Sequence, residues 1–379
     1  MIGQLLPVGR LKGVRRAWRH NAFRFRPLGK GQALMLGEDH RIARAQTAPL
    51  ERVGLNGGDP AIWVPRREGQ RQQVWRRTEP PVVFLQSWWS TPENELRALI
   101  GRIREDCPET RLVYLDWFAP THIPQPWLVE TTDLYIKKHV LSDRRRYEEG
   151  FHDTNLVEYE AVWDGSLLPE KEQGISIETL KEKLFVGWNF ATAPGLVRQL
   201  NKPTGDIADR SINVHCRIGA DRPDKPWYKH MRRRSLAAAQ SLDIGKCIAT
   251  SESVPYKRFW RELCDSRLCF SPFGFGEVCW RDFEAIAAGA VLIKPDMSHI
   301  ETYPNIYKAY ETYIPVRWDF SDLGEQCQRY LNDIEACREL ATKAQEVWQS
   351  YLNRGMDKHL DCLWSQLTKV DTSNGHQFD

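Results

Sequence analysis

The chain has 379 residues, 41% of them hydrophobic and 27% charged, with a formal net charge of +3. That composition excludes disordered, collagen-like and disulfide-framed chains and leaves a globular protein long enough for two domains. No run of eighteen apolar residues exists, which excludes a membrane-spanning helix, and the opening Met-Ile-Gly-Gln-Leu-Leu-Pro carries no signal-peptide core, so a cytoplasmic protein is expected.

Residues 1–37 hold eight basic side chains (Arg10, Lys12, Arg15, Arg16, Arg19, Arg24, Arg26, Lys30) and no acid, interleaved with Trp18, Phe23 and Phe25. Such an arm suits an anionic membrane surface, where each cation near the headgroups contributes about 1 kcal/mol. Peripheral attachment to the inner face of the membrane is therefore one expectation. A solvated or partner-packed arm is the other, and nucleic acid is the less favoured polyanion. Residues 40–80 are rich in Arg, Gln, Gly and Pro with weak periodicity, so 1–80 reads as a basic arm and irregular lead-in.

The first clear strand spans 81–86, a helix follows over 92–103 behind Thr91, and strands recur at 111–116 and 134–138. This alternation predicts parallel pairing in a first α/β domain over 81–175, closed by a Gly- and Pro-interrupted linker at 159–176. A second series over 176–320 runs strand 183–188, helix 194–200, strand 212–216, helix 228–242, strand 246–249, helix 256–264, strand 268–270, and a last short strand at 313–316. Residues 321–379 read as C-terminal helices and tail, with Leu323, Cys327, Tyr330 and Leu331 at helical spacing. Nine scattered cysteines without a C-x-x-C pair predict reduced, mostly buried thiols.

The richest stretch is Ser271-Pro272-Phe273-Gly274-Phe275-Gly276-Glu277, continuing through Arg281 and Glu284 to Gly289-Ala290 and the apolar Val291-Leu292-Ile293. Strand end, glycine-rich turn, helix and buried strand put a flexible loop at a helix N-terminus, which suits a phosphate. Glu277, Arg281 and Glu284 fall at i, i+4 and i+7 on one helical face, while Phe283, Ile286 and Ala287 turn toward another. A guanidinium for a diphosphate and a carboxylate for ribose hydroxyls are what a nucleotide sugar needs.

This pattern resembles the donor-binding half of GT-B glycosyltransferases, nearest the exostosin-like branch and similar to the glycosyltransferase group 1 domain, over residues 265–296. The resemblance implies an α/β fold of two Rossmann-like domains facing across a cleft, with C-terminal helices. It implies a nucleotide-sugar donor in the second domain, a glycan or lipid-linked acceptor in the first, and a final helix over 347–367 that returns to the first domain. It sets Arg281 and Glu284 against the donor's diphosphate and ribose. Many retaining members space two glutamates eight apart; Glu277 and Glu284 are seven apart, so inversion and retention both stay open.

A departing diphosphate must be neutralised by a metal or by fixed cations. The chain has no Asp-x-Asp triplet, so protein cations are expected to act without metal or cofactor. The donor-binding candidates are the backbone of Gly274, Phe275 and Gly276, with Glu284, Arg217 at a strand's carboxyl end, and Arg233 within Lys229-His230-Met231-Arg232-Arg233-Arg234, whose plain reading is a solvated helix face. Catalytic candidates are Arg281, Glu277 and Asp116, the last as acceptor base ahead of His122 and Asp133, although a turn cap explains Asp116 equally well. Trp88, Trp89 and Trp117 are read as a sugar-stacking group, and His139, His215 and His299 as structural. An epimerase or hydrolase acting on the donor alone, and a non-catalytic glycan- or membrane-binding protein, are the alternatives on the same fold.

Overall fold

The computed structural model describes residues 32–52, 59–165, 168–219 and 226–368; the membrane role assigned to the basic arm thus falls mainly outside the described residues. The first of two parallel sheets takes β1 (Leu34–Gly37), β2 (Ile62–Pro65), β3 (Val82–Leu85), β4 (Arg111–Asp116) and β5 (Leu134–Lys137); β6 (His139–Leu141) leaves it and β7 (Leu184–Val186) rejoins it. Its order is β2-β1-β3-β4-β5-β7. The central strands are buried almost throughout, as a parallel sheet covered on both faces requires. The second sheet takes β8 (Ile212–Arg217), β9 (Cys247–Thr250), β10 (Ser266–Phe270) and β11 (Val291–Pro295), then, past β12 (Ile300–Thr302), β13 (Ile314–Val316), in the order β13-β11-β10-β8-β9.

Seven helices position the site: α1 (Arg41–Arg52), α2 (Asn155–Asp164), α3 (Pro226–Gln240), α4 (Tyr256–Cys264), α5 (Trp280–Ala287), α6 (Ile334–Ser350) and α7 (Met356–Leu367). Helix α7 lies on the first sheet, where Met356, Leu360, Leu363 and Leu367 share a core with Met35, Phe84, Val113 and Ile136. The last helix therefore crosses back.

The sheets depart from the sequence reading in three places. Residues 40–52 and 59–80 hold α1, β2 and two short helices, and β1 lies inside the stretch read as a basic arm. Their strands are four residues long and α1 carries Pro49 in its interior, so no period stands out. Strand β7 pairs with β5, in the first sheet rather than the second, because three residues look alike beside either sheet. The supposed linker opens inside α2, whose N-cap Thr154 accepts a bond from the Val157 amide.

A small antiparallel ladder, β6 with β12, joins the halves. Around it the Ser142 amide donates to the His299 carbonyl (2.8 Å), Arg144 pairs with Glu301 (2.6 Å), and Asn189 donates to Thr302 Oγ1 (2.9 Å) and the Pro304 carbonyl (3.0 Å).

Candidate active site between the two sheets

The chain leaves β10 at Phe270 and enters α5 at Trp280, and one buried carboxylate holds that passage. Asp282 accepts from Ser271 Oγ (2.6 Å), the Cys279 amide (2.9 Å), the Tyr307 hydroxyl (2.7 Å) and Lys294 Nζ (3.2 Å). The glycine turn is packed on both sides. Phe275 stacks face to face on Tyr228 of α3 (4.2 Å, 6°), with Trp227 edge-on. The Gly274 amide donates to the Gly276 carbonyl (3.0 Å), so it is not the open phosphate donor the sequence suggests. A Cβ on Gly276 would lie 1.7 Å from the Ala119 carbonyl oxygen, so glycine here lets the second half close against the first.

The cations divide unequally. Arg217 is committed to Glu262 through Nε (2.5 Å) and Nη2 (3.0 Å), so its charge is met on α4 instead of being free for a diphosphate. Arg233 lies on the exposed face of α3. Its neighbour Arg232 is the buried one, donating to the carbonyls of Phe273 (2.9 Å) and Gly219 (3.1 Å) beneath the turn. Arg281 donates from Nη2 to the Arg217 carbonyl (2.6 Å), and its buried Nε meets no partner among the described residues. Burial first, then repulsion from Arg281, lowers the affinity of Arg232 for its proton.

Glu284 is 8% exposed and accepts no hydrogen bond among the described residues. Burial pushes its carboxyl up to about 7, against the pull of Arg281 and Arg41. Arg41, from α1 in the first half, lies 4.8 Å over the Trp280 ring. Tyr256, at the start of α4, has its hydroxyl pushed up by burial and by Glu284. Glu284 thus lies within electrostatic reach of Arg41 on α1 of one half and of Tyr256 on α4 of the other.

Glu277 has another role. Fully buried, it accepts from Thr121 Oγ1 (2.6 Å) and Asn155 Nδ2 and lies 3.6 Å from His299 Nε2, bolting the two halves together. Burial alone would raise its carboxyl, but His299, His139 and Thr121 hold it near 2. As the acceptor base, Asp116 is corrected too. It is wholly buried and saturated by Lys137 Nζ (2.6 Å), the Tyr135 hydroxyl (2.8 Å) and the Phe118 amide (2.8 Å). Asp133 holds the Leu112 amide (2.6 Å) and Arg104 (2.8 Å) at the far end of the strands. Burial, with Lys137, takes His122 down to about 3, and burial, with Arg281, takes His215 to about 4, so both rings are neutral near pH 7.

The tryptophans do assemble. Trp88 meets Trp89 (5.2 Å) and Trp117 (5.0 Å) edge-on, and His40 packs on Trp88 and Trp117. Trp117 is buried, its Nε1 donating to the Ser87 carbonyl (2.8 Å), while Trp89 is 49% exposed. The platform stands at the carboxyl ends of β3 and β4.

No family model matches the chain, and no curated protein matches it in sequence. Solved structures do. An alpha-glucosyltransferase in complex with UDP and a 13-mer DNA containing an HMU base is 10% identical at a TM-score of 0.51, over 90% of this chain and 100% of that one. An alpha-glucosyltransferase in complex with UDP is 12% identical at 0.50, over 89% and 99%, and one with UDP-glucose and DNA containing an abasic site is 11% identical at 0.50, over 89% and 98%. At such identities the likeness is one of fold. The chain has the two-domain GT-B fold that residues 265–296 point to.

Proposed function

We propose that the protein is a glycosyltransferase that seats a nucleotide sugar against α5, Arg281 meeting the diphosphate and Glu284 the ribose, and passes the sugar to an acceptor held by the first half. One observation carries this reading: Glu284 of the second half is buried beside Arg281, and its carboxyl is pulled on as well by Arg41 of the first half. A pair of ribose hydroxyls would supply that carboxylate with hydrogen-bond donors. UDP is the first nucleotide to try, because UDP or UDP-glucose occupies the similar structures.

The acceptor in this proposal is a glycan or a lipid-linked glycan, as the Trp88–Trp89 platform supports, and polysaccharide or glycoconjugate synthesis is the setting. Charge neutralisation falls to protein cations, so chelation by EDTA is expected to leave turnover unchanged. The enzyme is proposed to work in the cytoplasm, with residues 1–31 as the candidate membrane contact; vesicle sedimentation of a chain lacking them, which keeps β1, tests that. Release of UDP or GDP is to be followed with and without oligosaccharide, lipid-linked and DNA acceptors. Acceptor-dependent release supports transfer. Release at the same rate without acceptor replaces it with donor hydrolysis, and failure of every nucleotide to bind removes the reading.

A further inference from the structure

Where the halves meet around Glu277, several buried polar atoms lack partners among the described residues: Lys138 Nζ, both ring nitrogens of His139, His122 Nδ1, Asn155 Oδ1 and Arg281 Nε. Buried polar atoms are nearly always satisfied, so a cluster of exceptions calls for an occupant. The charges give its sign. Asp116 answers Lys137, Glu277 is taken by Thr121 and Asn155, and Arg217 is answered by Glu262. Lys138 is left, 1% exposed, with no carboxylate within ion-pair distance among the described residues.

Lys138 sits between β5 and β6, where the chain turns from the first sheet into the interdomain ladder, and its carbonyl accepts from Thr302 Oγ1 of the second half (3.2 Å). The ammonium lies 4.6 Å from the centre of the Phe190 ring. That ring packs at 5.2 Å on Trp280, the first residue of α5. A cation from the first half is thereby brought to the amino end of the helix that carries Arg281 and Glu284.

We propose that Lys138 is a further catalytic residue, its ammonium neutralising the outer phosphate of the leaving nucleoside diphosphate. This rests on the glycosyltransferase reading. In the step concerned, the bond between the anomeric carbon and the outer phosphate oxygen breaks with its electron pair staying on that oxygen. The acceptor oxygen forms the new bond to carbon, and its proton passes to solvent. Lys138 stays protonated and pairs with the charge that the diphosphate gains. Arg217 is engaged by Glu262 and Arg232 by backbone carbonyls, which leaves Lys138 as the cation to act beside Arg281.

Burial, then Lys137, lowers the free protein's Lys138 to about 7, while Asp116, Cys279 and Glu277 pull the other way; His139 faces it from β6. An arriving diphosphate raises it again, so binding takes up a proton near pH 7.5. Glu284 titrates in the same range, so the comparison is between wild type and variants at Lys138 alone.

The experiment is calorimetry of UDP and UMP binding in buffers of different ionisation enthalpy, with donor kinetics, for wild type, Lys138→Met and Lys138→Arg. Lys138→Met is expected to weaken UDP binding about tenfold, leave UMP within about twofold, lose part of the proton uptake and lower kcat about 100-fold. Lys138→Arg is expected to lose the same uptake yet recover much of the kcat, and it keeps the test alive should the methionine variant not fold. UDP affinity, uptake and kcat like wild type in the variants would overturn the role of Lys138 while wild-type turnover leaves the enzyme reading intact. A wild type that binds no nucleotide would overturn both.

Discussion

Glu284 and Asp116 are two buried carboxylates with opposite consequences. The carboxyl of Glu284 is raised from an ordinary 4.5 to about 7, so the folded chain keeps a proton that the unfolded chain loses over that window. Stability credited to Glu284 is present below pH 4.5 and lost as pH rises through 7. Glu284→Gln should therefore be more stable than wild type at pH 8, by about 1–3 kcal/mol in urea titrations. The same proton competes with ribose, so wild-type nucleotide affinity should fall by up to about tenfold per pH unit below 7 and Glu284→Gln should show a flat, weak profile. Asp116→Asn should instead destabilise by about 3–5 kcal/mol by stranding the Lys137 ammonium. A shifted pH–rate profile with unchanged stability would restore Asp116 as the base. The choice between Arg232 and Arg233 was open to sequence reasoning, since Trp227, Tyr228, Met231 and Ser235 mark the buried face of α3 and Arg232 falls on it. The charge run hid that phase. Lys138 gave less signal, because a partner missing across the fold leaves no mark on local sequence.

The turn between β10 and α5 is the best-read segment, and its glycines differ in why they are needed. Gly276 abuts the Ala119 carbonyl, whereas the nearest contact for a Cβ on Gly274 is Cys279 Sγ at 3.5 Å. Gly276→Ala should cost about 1–3 kcal/mol through overpacking, and Gly274→Ala should stay within about 0.5 kcal/mol; thermal melts compare them. Equal effects would mean that contact with the first half does not require the glycine. The helix after the turn was legible, and Phe283, Ile286 and Ala287 are buried; but it starts at Trp280, so Glu277 precedes it instead of sharing a helical face with Arg281 and Glu284, and Asp282 and Glu284 are buried as well. Strands β1, β2 and β7 were not assigned to the first sheet. Three or four residues cannot show a period, and their pairing is decided by neighbours distant in sequence.

For the whole chain, alternating strands and helices were enough to expect two parallel sheets, and the resemblance over 265–296 to expect a last helix that crosses back. The ladder of β6 with β12 and the Glu277 bolt were beyond reach, since each joins segments that have no local reason to meet. Together they hold the half that carries Arg281 and Glu284 against the half that carries Arg41 and the tryptophan platform. The most direct measurement is calorimetric titration of UDP, GDP, CDP, TDP and ADP into wild type, Arg281→Ala and Glu284→Ala, with melting temperatures taken in parallel. Saturable one-site binding of at least one of these nucleotides, weakened tenfold or more in both folded variants, is the expected result; binding of none, or equal affinity in all three proteins, would contradict a nucleotide-sugar site at α5.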